Sequence, residues 1–103
     1  MAYRLLLLGE VEKQLRRLPR SEKERVVEAM RSLRENPRPE GCVHLEDVLY
    51  RIRVGRYRVL YAVFDKEVVV LVCRVAHRTE ATYSDLRSLL RRVRRTLEGG
   101  GST

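Results

Sequence analysis

At 103 residues the chain fits one domain, with room for a modest core and little to spare. Its 22 Lys and Arg outnumber 14 Asp and Glu, giving a formal net charge of +8 and a pI near 10.2, a balance that points to nucleic acid or an acidic protein as partner. Two cysteines without metal-ligand spacing, two isolated histidines and a leucine run at 5–8 too short to span a bilayer argue against a disulfide scaffold, a metal site and a membrane anchor, and for a cytoplasmic protein with reduced thiols.

In chain order, residues 3–8 read as a short buried strand. Residues 10–18 take helical spacing, with Val11, Leu15 and Leu18 on one face. Pro19 breaks that helix, and Ser21 with Glu24 has the spacing of a capping box opening a second helix to about residue 36. Its stripe is Val26, Met30 and Leu33. After a loop at 37–41 the period switches to two, predicting strands over 48–54, 57–65 and 68–76 with turns at Gly55-Arg56 and 65–67. A last helix over 83–98 carries Leu86, Leu89, Leu90 and Val93 among arginines, and 99–103 read as a flexible tail. The expected fold is α+β, β-α-α-β-β-β-α: one domain over 1–98, an antiparallel sheet with the helical hairpin on one face, and a C-terminal helix.

Strand alternation distributes the side chains. Tyr50, Ile52, Val54, Tyr57, Val59, Tyr61 and Val63 share an apolar side suited to the helical hairpin. The other side gathers Arg51, Arg53 and Arg58, since a two-residue loop at Gly55-Arg56 sets Arg53 opposite Arg58. Like charges across strands repel, and a phosphate between them would relieve the repulsion. The same side carries Leu60, Leu71 and Cys73, an apolar strip that the last helix or a partner protein is expected to cover.

The run Tyr50-Arg51-Ile52-Arg53-Val54-Gly55-Arg56-Tyr57-Arg58-Val59-Leu60-Tyr61, then Val75-Ala76-His77-Arg78 and Tyr83, resembles the RelE/ParE toxins, over residues 2 to about 91. The resemblance implies a type II toxin of the RelE kind. Such a toxin is an mRNA interferase that cuts mRNA in the ribosomal A site, without metal or cofactor, by 2′-hydroxyl attack giving a cyclic phosphate, and that a cognate RelB-like antitoxin blocks. It also implies roles. Arg51 and Arg53 stand where the family has lysines, and Arg58 holds the scissile phosphate, with Arg56 beside it as a further phosphate contact. Arg78 stabilises developing charge, and Tyr83 stacks on a base. Arginine at 51 and 53 removes a lysine proton acceptor, leaving His77 as the nearest titratable candidate, with Glu46 and His44 behind it. The alternatives are a ParE-like inhibitor of DNA gyrase, or a catalytically weak homologue that binds only its antitoxin.

Overall fold

A computed structural model describes residues 2–80 and 83–99 of the chain. The strands are β1 (Arg4–Leu7), β2 (Val43–Glu46), β3 (Leu49–Val54), β4 (Tyr57–Phe64) and β5 (Val69–His77). The helices are α1 (Gly9–Arg16), α2 (Arg20–Ser32) and α3 (Leu86–Gly99). The strands form one sheet in the order β1-β5-β4-β3-β2. The fold is α+β, as the sequence predicts, with two differences. β1 runs parallel to β5, making the sheet mixed, because the α1–α2 hairpin returns the chain across the sheet before β2 begins. β2 is an additional strand. It has four residues, it is half exposed, and its pairing with β3 carries a bulge, so alternation in the sequence is too brief to announce it.

Three local expectations also change. α2 starts at Arg20 after Pro19, which puts Ser21 inside the helix, so the helix start has no side-chain cap and Glu24 binds Arg20 instead. Val68 lies in the turn before β5 at φ 57, where its amide donates to the Asp65 carbonyl, rather than in the strand. Gly99 closes α3, and the rest of the expected tail lies outside the described residues.

The hairpin of α1 and α2 covers one sheet face with Val11, Leu15, Val26, Met30 and Leu33, all buried against Val59, Tyr61, Val63 and Val72. α3 lies over the other face with Leu89 and Val93 fully buried. Leu60, Leu71 and Cys73 beneath it are 0% exposed, so the chain's own helix covers the apolar strip that the sequence left open. Burying side chains of this size stabilises the fold by roughly 1.5–3 kcal/mol each. Polar contacts pin α3 along its length: Arg74 donates to both Asp85 carboxylate oxygens at 2.7 and 2.9 Å, Arg92 pairs with Glu10, and Arg94 pairs with Asp47.

At the far end of the sheet a second network fixes the loop before β2. Arg38 forks onto Asp65 at 3.2 and 2.8 Å and donates to the Tyr50 hydroxyl at 3.0 Å, while Tyr3 donates to Asp65 at 2.8 Å. Tyr61 donates to the Pro37 carbonyl at 2.7 Å. No helix among the described residues is long and apolar enough to cross a membrane.

Candidate functional site

The β3–β4 hairpin builds the site. Gly55 sits at φ 59, a left-handed value that glycine takes without a Cβ penalty, and it closes a two-residue loop with Arg56. The loop sets Val54 opposite Tyr57, Arg53 opposite Arg58 and Arg51 opposite Leu60, the register that the loop length predicts. The three arginines therefore share the sheet face that α3 covers only in part. Arg53 is exposed, whereas Arg51 and Arg58 are half-buried.

Two features give this cluster an electrostatic demand. Arg53 and Arg58 are directly opposed like charges. Arg51 and Arg58 each bury an Nε that has no hydrogen-bond partner among the described residues. A buried donor left unpaired costs about 1–3 kcal/mol, and the opposed guanidinium charges add a demand that an anion on this face would relieve. Beside them, the Tyr83 ring lies over the Arg58 guanidinium, 5.6 Å from its carbon to the ring centroid, and Tyr83 is 36% exposed. A cation face and an exposed ring side by side match a phosphate and its attached base.

β5 adds a feature that strict alternation hides. Its register with β4 shifts after Leu60, so Arg74 pairs with Leu60 while Val72 pairs with Tyr61, and Cys73 is the extra residue between them. The Cys73 thiol donates to the Leu60 carbonyl at 3.3 Å, and burial pushes its pKa up to about 12, so it is a packing group rather than a nucleophile. An extra residue inverts the side-chain parity of everything that follows. Counted from Val69 by twos, His77 would face the arginines. In the structure Ala76 pairs with Arg58 and His77 pairs with Tyr57, on the helical-hairpin face. Arg74 moves the other way, onto the arginine face, where the Asp85 carboxylate holds its pKa above the ordinary arginine value through their hydrogen bonds. Reading the sequence by alternation misses Arg74, and nothing in the local sequence signals the bulge.

The remaining candidates separate. His77 packs edge-on against the Tyr57 ring at 5.6 Å, and its Nδ1 lies 2.8 Å from the Thr79 hydroxyl. With Arg56 and Arg78 it lines a cleft of about 490 Å³ at the turn end of the sheet, which also takes in Glu22 and Arg25. Arg56 faces the Glu22 carboxylate at 3.8 Å, and its carbonyl accepts from the Arg78 amide at 2.8 Å. Arg56, Arg78 and His77 thus form a group apart from Arg51, Arg53, Arg58 and Tyr83. His44 faces the hairpin side, next to Tyr50 at 5.0 Å, and its Nε2 lies 2.7 Å from the Asp47 carbonyl. Glu46 pairs with Leu49 on the arginine face, two positions along β3 from Arg51 and four from Arg53, about 7 and 13 Å along the strand.

The sequence and the fold have known relatives. The family described as ParE toxin of type II toxin-antitoxin system, parDE, matches residues 5–82. The chain belongs to the RelE/ParE superfamily of type II toxins. RelE in the archaeal RelE-RelB complex from Pyrococcus horikoshii OT3 is 33% identical, matched over 79% of this chain and 100% of its own, with a TM-score of 0.72. A mutant E. coli toxin RelE in the free state is 29% identical over 90% of this chain and 99% of its own, at a TM-score of 0.70. A chain of the toxin-antitoxin complex RelBE2 from Mycobacterium tuberculosis is 26% identical over 78% of this chain and 95% of its own, at a TM-score of 0.68. The RelE-like toxin described here therefore shares its fold with toxins whose structures include antitoxin complexes.

Proposed function

We propose that this RelE-like toxin is a ribosome-dependent endoribonuclease whose cleaving surface is the Arg51, Arg53 and Arg58 face together with Tyr83. The observation that carries the reading is the opposition of Arg53 and Arg58, with Arg51 on the same face, beside the exposed Tyr83 ring that lies over Arg58. In the reaction the ribose 2′-oxygen forms a bond to the adjacent phosphorus and the bond from phosphorus to the 5′-oxygen breaks. The products are a cyclic phosphate and a 5′-hydroxyl that takes up a proton. Arg58 holds the scissile phosphate through paired donors, and Arg51 and Arg53 supply charge to the phosphorane. Tyr83 stacks on the base and fixes the nucleotide for in-line attack. Arg78, which the family resemblance casts as the residue that stabilises the leaving group, lines the neighbouring cleft with Arg56 and His77, so that role requires its side chain to swing toward Arg58 when RNA binds. None of the arginines accepts a proton at neutral pH, so the base is a group other than these. Tyr83, in contact with Arg58, is the side chain best situated for proton transfer; His77, on the other face, is not.

Proteins acting on ribosomes work in the cytoplasm, and the net charge of +8 suits both RNA and an acidic partner. The RelE-RelB complexes among the relatives support a RelB-like antitoxin as that partner. The ParE description of the matched family supports a second reading, inhibition of DNA gyrase. Primer extension on an mRNA in a purified translation system separates the two. Cuts that require ribosomes are the expected result. Stalled gyrase cleavage complexes without RNA cuts would establish the second reading, and neither effect would leave an antitoxin-binding homologue.

A further inference from the structure

We propose that the outer side of α3 is a phosphate-binding track, formed by Arg87, Arg91 and Arg95, that holds the RNA backbone leading away from the Arg58 and Tyr83 site. The proposal rests on the reading of this toxin as an RNA-acting protein and extends its footprint. The three arginines stand four residues apart, so they form one stripe in which each step rises about 6 Å along the helix axis. All three are exposed. The apolar residues of α3 face the sheet, and Arg92 and Arg94 are engaged with Glu10 and Asp47. Arg87, Arg91 and Arg95 have no carboxylate partner among the described residues.

The exposed faces of the other helices are built differently. α1 pairs Glu12 with Arg16, and α2 pairs Arg20 with Glu24, each at helical spacing. On α3 the neighbour at that spacing is another arginine, which destabilises a helix in isolation. Arg87 also stands in the first turn, which holds no acidic residue and where the helix dipole disfavours a cation. A polyanion along the stripe relieves both. The helix is anchored so that the track starts at the site: Asp85 binds Arg74 on the arginine face, and Tyr83 lies over Arg58.

The occupant is a phosphate backbone rather than an acidic peptide. Peptides dock on helices through apolar anchors, and the exposed residues of α3 are Arg, Ser, Thr and Glu, without an exposed apolar side chain.

The test is the salt dependence of binding between the full chain and a fluorescein-labelled oligouridine. Replacing all three residues (Arg87→Gln, Arg91→Gln, Arg95→Gln) should reduce the slope of log K against log salt by about 2, since each single-strand phosphate contact contributes about 0.7. Lysine at the same positions should keep the slope, which separates charge from any disturbance of α3. If the glutamine variant melts like the wild type and keeps the full slope, the track is wrong. It is equally wrong if that variant keeps RNA binding and loses poly-glutamate binding instead. Arg58→Ala is the independent arm. A normal cleavage rate in Arg58→Ala beside a reduced slope in the triple variant would support the track and reject the site. Lost cleavage in Arg58→Ala beside an unchanged slope in the triple variant would do the reverse.

Discussion

Arg58 has two neighbours of opposite effect: the Arg53 guanidinium across the strand pair repels it, and the Tyr83 ring attracts it. Tyr83 has two separable parts, a ring that stacks and a hydroxyl that can transfer a proton. Tyr83→Ala should weaken RNA binding by about 1–3 kcal/mol, the usual worth of one stacked base, in a fluorescence titration. Tyr83→Phe should keep that affinity and slow single-turnover cleavage. Equal cleavage by the phenylalanine variant and the wild type would remove the hydroxyl from the chemistry. His77→Ala should leave the cleavage rate and its pH profile unchanged, because the side chain packs with Tyr57 and Thr79 on the opposite face. A lost inflection near neutral pH in that variant would put His77 back among the candidates.

At the scale of elements, what the sequence makes legible depends on how regular each element is. The two-residue loop at Gly55-Arg56 fixes the β3–β4 register, so the opposition of Arg53 and Arg58 follows from the sequence. β5 defeats the same reasoning, because the bulge at Cys73 rests on long-range packing and inverts the placement of Arg74 and His77. β2 escapes because its four residues gain strand geometry only by pairing with β3. The docking of α3 is a further element-scale consequence. Hydrogen bonds from Arg74 hold the Asp85 carboxyl below its ordinary pKa. The folded state therefore binds fewer protons at this site than the unfolded chain. The stabilisation is present above the unfolded value of about 3.9 and is lost as pH falls through the folded one. Asp65, held down by Arg38 and Tyr3, has the same sign. Asp85→Asn should thus lower Tm at pH 7 and narrow its gap from the wild type in acid. Thermal melts with a constant gap down to about pH 2 would show that the pair contributes nothing through ionisation.

For the whole molecule, arginines concentrate on one side: the arginine face, and beside it α3 with three arginines that have no carboxylate partner among the described residues. The fold holds Arg51, Arg53 and Arg58 on one face, with Arg53 and Arg58 opposed and part of the donor capacity of Arg51 and Arg58 unmet among the described residues. The central claim is that the scissile phosphate binds on this face and relieves the opposed arginine charges. Single-turnover cleavage of mRNA on programmed ribosomes, with wild type and Arg58→Ala at saturating toxin, measures it directly. The account predicts a rate lower by about 10²–10³, the usual cost of removing one group that stabilises transition-state charge. An Arg58→Ala rate equal to the wild type would contradict it.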